Sequence, residues 1–147
     1  MIAFYLAAAV VAGALVTLQT GSNTRLKEAL GEPIPAVLVS SALGIAVLIA
    51  VVVVARTPMP SFQQLAAAPW SAWLGGVLGA VYAVTVVLLA RRLGAATLTA
   101  LAVTGQLVCS VVLDHFGLIG FELHPAGAAR MLGCLLMVAG LVLIWRF

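Results

Sequence analysis

The sequence predicts an all-α polytopic membrane protein with five transmembrane helices. Three observations carry this. Hydrophobic residues fill 65% of the 147 positions and charged ones only 7%, against roughly 25% charged in soluble domains. The apolar residues fall in five runs of about 20, the length that crosses about 30 Å of hydrocarbon. The seven Lys and Arg residues stand between these runs or at their ends. No soluble fold tolerates so apolar a surface, and a nucleic-acid partner would need a clustered basic face. Five spans with short connections leave no room for a soluble domain, so residues 1–147 are expected to form one transmembrane domain.

The first helix is expected over 2–24, continuing as a polar turn to Leu30. Gly31 then serves as a C-terminal cap, and Pro33 and Pro35 prevent continuation. Phe4 and Tyr5 suit an interface. No Lys or Arg stands in the first 24 residues, so the basic front of a cleaved signal peptide is missing and the run is expected to be retained. Gly13, Thr17 and Gly21 recur every four residues, a stripe for close helix approach. Gln19 and Asn23, also four apart, lie on a neighbouring stripe toward the polar end. They read either as interhelical hydrogen-bonding groups or as an amide pair facing a ligand.

The second helix is expected over 35–55, with proline in the first turn, where its missing N–H costs little. Ala36, Ser40 and Gly44 form another small-residue stripe, and the run Val51 to Val54 has no polar face and should meet lipid. Arg56-Thr57-Pro58-Met59-Pro60 ends it. Residues 61–68 read as a short interfacial segment, with Phe62 and Leu65 dipping toward the headgroups. The third helix is expected over 69–92, with Trp70 and Trp73 as interface anchors and Gly75, Gly79 and Ala83 as its close-packing face. Tyr82 stands near mid-span. It is either hydrogen-bonded to another helix or a pocket wall offering a flat apolar face with a polar tip. Leu93-Gly94 allows a tight turn.

The fourth helix, expected over 95–113, is the most informative. It carries Gln106 and Ser110 and ends in Asp114-His115-Phe116-Gly117. Spacings of four and eight place Gln106, Ser110 and Asp114 within one broad face that drifts by roughly 40° per step. A carboxamide in an apolar helix needs a partner or a wet cavity, because an unsatisfied polar group in hydrocarbon is costly. Asp114 and His115 stand where the apolar run stops, at a membrane edge or vestibule. Glu122 and His124 read as solvated loop residues. The fifth helix is expected over 125–145, with Gly133, Met137, Gly140 and Ile144 as a packing seam and Trp145 and Arg146 at an interface. Cys109 and Cys134 fall inside apolar runs and read as packing residues. No metal or cofactor is expected from their spacing.

With the N-terminus outside, Arg25, Lys27, Arg91, Arg92 and Arg146 face the cytoplasm and Arg56 and Arg130 do not. This five-to-two bias favours N-out, C-in. The sequence holds no HExxH and no Ser/His/Asp set at compatible depths, so an enzyme is disfavoured. No Asp or Glu falls in mid-span, which disfavours a deeply buried carboxylate exchanging protons for a cationic drug.

Gly105-Gln106-Leu107, followed by Asp114-His115-Phe116-Gly117 and then Gly133 and Gly140, resembles the YdcZ-like family of the drug/metabolite transporter superfamily. Gly13, Gln19 and Asn23 in the first helix agree, and the resemblance spans essentially the whole chain. It implies a five-helix half of a ten-helix inverted-repeat transporter, completed by an oppositely oriented copy or a paralogue. By that likeness helices 1, 3 and 4 would line a central cavity and helix 5 would serve packing. The expected function is export or import of a small polar or amphipathic metabolite by alternating access, in a bacterial cytoplasmic (inner) membrane. Gln19, Asn23, Tyr82 and Gln106 are the expected substrate-binding residues, and Asp114 and His115 the groups available for gating or proton coupling. The alternative is a non-transporting membrane subunit that stabilises or regulates a partner protein.

Overall fold

The computed structural model describes residues 1–146, and they form helices without a strand. In chain order these are α1 (Ile2–Leu30), α2 (Pro33–Ala55), the short α3 (Phe62–Ala66), α4 (Leu74–Leu93), α5 (Ala95–Phe116) and α6 (Ala128–Arg146). A 3₁₀ turn, Trp70–Trp73, leads into α4, and another, Leu118–Gly120, follows α5. Five helices are long and apolar enough to cross a membrane, the third span comprising Trp70–Leu93. The expected class and span count therefore hold, while several edges move.

α1 continues as regular helix to Leu30 rather than loosening into a turn after Thr24. Nothing between Arg25 and Leu30 opposes helix, and Leu, Lys, Glu and Ala favour it. Gly31 then takes the left-handed conformation (φ 83°) and returns its N–H to the Lys27 carbonyl, the termination expected of a glycine cap. α2 starts two residues earlier than expected, so both Pro33 and Pro35 sit in its first turn. α5 runs past 113 to Phe116, where Gly117 (φ 60°) caps it through the Leu113 carbonyl. Asp114 and His115 thus belong to its last turn. α6 starts at Ala128 rather than 125: the Gly127 carbonyl receives the first helical N–H groups, from Arg130 and Met131, and the Ala126 N–H just before it bonds to His115. The expected interfacial segment is the helix α3. Ser61 caps it, accepting from the Gln64 N–H while its own N–H donates to Gln64 Oε1 at 2.8 Å.

The chain resolves into two compact units, Met1–Ala90 and a second from Arg91 onward. In the first, α1 packs on α2; in the second, α5 packs on α6. Buried apolar residues are few: Ala36, Val37, Val86, Val87 and Leu98. Water would not tolerate so small a core, but in a bilayer a Leu or Val facing lipid tails gains little by moving inward. A Cβ placed on Gly13, Gly21, Gly75, Gly79, Gly133 or Gly140 would meet nothing within 4 Å. The small-residue stripes on α1, α4 and α6 are therefore open faces.

Candidate functional site

Several hydroxyls inside the spans are satisfied by their own helix, whereas Ser22, Ser40, Ser41, Thr97 and Thr99 make no side-chain hydrogen bond to any described residue. Thr20 donates to the Val16 carbonyl (3.0 Å), Thr24 to Thr20 (2.8 Å), Thr85 to Val81 (2.8 Å), Thr104 to Ala100 (2.7 Å) and Ser110 to Leu107 (2.9 Å). A short hydroxyl side chain reaches back one turn. A carboxamide offers two donors and an acceptor, and one preceding carbonyl cannot satisfy them. Gln19, Asn23, Tyr82 and Gln106 make no side-chain hydrogen bond to any described residue.

Their surroundings differ. Asn23 is only 6% exposed. It lines an open groove of about 410 Å³ together with Ser22, Arg25 and Leu26 of α1 and Ser40 and Leu43 of α2. Gln19, one turn earlier on α1, is exposed. Tyr82 on α4 is 37% exposed, and Gln106 on α5 is exposed. Gln19, Asn23 and Tyr82 belong to the first compact unit and Gln106 to the second. No hydrogen bond joins any two of the four.

Within the second unit, α5 and α6 form an open groove of about 450 Å³. Ser110 and Asp114 line it from α5, and Arg130, Gly133, Cys134 and Met137 from α6. Ser110 and Asp114 share this face as their spacing indicates. Gln106 does not line it; Leu107 does, as the drift per helical step allows. Gly133 and Met137, expected as packing seam, are part of this wall.

The mouth of the groove holds a network that the sequence did not disclose. Arg130 Nη1 lies 3.5 Å from Asp114 Oδ2 and donates to the His124 carbonyl at 3.1 Å. The His124 N–H donates to the Asp114 carbonyl at 2.8 Å. The Ala126 N–H donates to His115 Nδ1 at 3.0 Å, and the His115 ring meets Phe116 edge-on with centroids 4.7 Å apart. Asp114 and His115 thus tie the end of α5 to the connection before α6. Arg130 and His124, read from sequence only as a topology charge and a loop residue, complete the tie. Their signal was faint: opposite charges at the facing ends of two helices joined by a short connection. Among the described residues no three His, Cys, Asp or Glu side chains gather in a way that would hold a metal.

Five spans, unsatisfied amides within them and an ionic mouth at the end of α5 restrict the chain to membrane roles. Residues 4–143 match the family described as "Putative inner membrane exporter, YdcZ". The chain belongs to the YdcZ family. It is accordingly a multi-pass protein of the inner membrane whose functional class is membrane transport, and the family is one of transporters rather than enzymes. Comparison with curated proteins and with solved structures finds no match.

Proposed function

We propose that this YdcZ-family chain moves a small polar or amphipathic metabolite by alternating access, working as an antiparallel pair of five-helix subunits. One observation carries the reading: Gln19, Asn23, Tyr82 and Gln106 place three amides and a phenol in otherwise apolar helices and make no side-chain hydrogen bond to any described residue. Leaving Gln19, Tyr82 and Gln106 in hydrocarbon would be costly. Asn23 stands one turn from Gln19 toward the polar end of the same helix, and intramembrane polar groups mark pathways by default. Amides and a phenol donate and accept without net charge, which suits a neutral, zwitterionic or weakly charged solute. In this reading helices α1, α4 and α5 supply the solute-contacting residues, and the open glycine faces accept the second subunit. Asp114 and His115, tied to the α5–α6 connection, gate one mouth or carry a proton.

The test is efflux from proteoliposomes loaded with a defined mixture of neutral and zwitterionic metabolites, followed by mass spectrometry. Gln19→Ala, Asn23→Ala, Tyr82→Phe and Gln106→Ala are compared with the parent chain, and assembly is checked separately. Selective loss of one solute's efflux in correctly assembled variants supports the site. Unchanged efflux in all four sinks it.

A further inference from the structure

We infer that the groove between the last turns of α1 and the first turns of α2 holds an anionic phospholipid of the bilayer. Its phosphate would lie on Arg25 and Asn23 and an acyl chain along Leu26 and Leu43.

Depth supports this first. The uncharged part of α1, residues 2–24, is 23 residues long and spans about 35 Å, a little more than the roughly 30 Å of the hydrocarbon layer. Ser22, Asn23 and Arg25 then fall where lipid phosphates lie. α2 agrees from the other side. Gly31 and Glu32 join the two helices, so Asn23 and Ser40 each lie seven residues from the ends that meet at this turn, Leu30 and Pro33.

The second support is Asn23 itself. Asn23 is 6% exposed as a residue and its carboxamide bonds to no described residue, so its polar atoms reach what little open surface it has. It lines the groove, so a ligand oxygen there would satisfy its N–H donors. The remaining lining completes an amphipathic site. Arg25 supplies the positive charge, Ser22 and Ser40 supply hydroxyls, and Leu26, Ala29 and Leu43 supply an apolar wall. The carboxylates of this end, Glu28 and Glu32, do not line it, so the charge presented inside the groove is cationic. Basic pockets between helices at this depth suit anionic headgroups.

Asn23 is also among the solute residues proposed above. Lipid retention is therefore read by mass in detergent, without transport, and the two readings fail separately. The purified chain is delipidated, then offered phosphatidylglycerol, phosphatidylcholine or inorganic phosphate, and examined by native mass spectrometry. The expected result is retention of phosphatidylglycerol at least roughly fivefold above phosphatidylcholine, about what one basic residue near the surface contributes. Arg25→Gln and Asn23→Leu should each abolish that preference, while Lys27→Gln, outside the groove, should keep it. Equal retention of the two lipids by the parent chain overturns the proposal whatever the variants do. So does binding of inorganic phosphate without a lipid preference, or an equal loss in Lys27→Gln.

Discussion

The backbone N–H of Ala126 donates to Nδ1 of His115 at 3.0 Å, closing the connection between α5 and α6 onto the last turn of α5. The bond requires a lone pair on Nδ1, so the imidazole proton of the neutral ring sits on Nε2. Arg130 reinforces the closure through the His124 carbonyl and Asp114. Two independent links thus hold one connection, and each can be removed separately.

His115→Ala deletes the acceptor for the Ala126 N–H. A net hydrogen bond is worth about 1 kcal/mol, which corresponds to roughly fivefold faster amide exchange at Ala126. Exchange in the middle of α6, at Leu135, should not change. Site-resolved hydrogen exchange in micelles or nanodiscs checks this. Unaltered exchange at Ala126 would show that the bond contributes nothing to closure.

The Asp114–Arg130 pair has side chains 30% and 44% exposed, at 3.5 Å. Exposed pairs of this kind couple by only about 0.2–1 kcal/mol. A double-mutant cycle with Asp114→Asn and Arg130→Gln, followed by denaturant unfolding in micelles, should return a value in that range that shrinks as salt is added. Arg130→Gln alone should cost more than Asp114→Asn alone, because the guanidinium also serves the His124 carbonyl. A coupling near 3 kcal/mol would instead mean that assembly shields the pair from water.

Which features could be read from the sequence follows from their dimensionality. Span number is a one-dimensional property of apolar length, and all five spans were legible. So were Gly31 as a cap and Leu93-Gly94 as a turn, since each depends on local backbone chemistry. Asn23 was legible as an amide on a stripe but not as a buried one, because periodicity does not say which stripe meets α2. The Asp114–Arg130 pair was hidden for another reason. The connection between them is irregular, with Ile119 at φ 53° and Gly120 at φ 84°, and its path brings together residues that no spacing rule pairs. The convergence of Gln19, Asn23, Tyr82 and Gln106 on one cavity remains a proposal, since it requires placing separate helices against one another.

Gly94 alone separates α4 from α5, at φ 75°, ψ 163°. That region is essentially restricted to glycine, and a side chain there costs of order 1–3 kcal/mol. A Cβ at Gly94 would meet nothing within 4 Å, so the cost is conformational and not steric. Gly94→Ala should therefore lower the unfolding midpoint in micelles. Gly76→Ala, in helical backbone with equal room, should leave it unchanged or raise it slightly. Equal effects of the two substitutions would refute the backbone explanation.

The proposed antiparallel pairing makes a prediction about orientation. Five Lys or Arg residues (Arg25, Lys27, Arg91, Arg92, Arg146) stand on one side and two (Arg56, Arg130) on the other, a margin of 5 − 2 = 3. Short-loop basic residues set orientation, and so small a margin leaves both insertions accessible. A cysteine at Gln63, on the exposed helix α3, reports the side when Cys109 and Cys134 are replaced by Ser. A membrane-impermeant maleimide should label one part of the population from outside intact cells and the rest only after permeabilisation. Lysines introduced at Ser61 and Gln64 raise the minority side from two to four and should move the labelled fraction toward the opposite orientation. If homodimers carry the activity, efflux should be greatest when the two orientations are near equal and fall as either dominates. A single orientation, combined with full efflux by the purified chain alone, would rule the arrangement out.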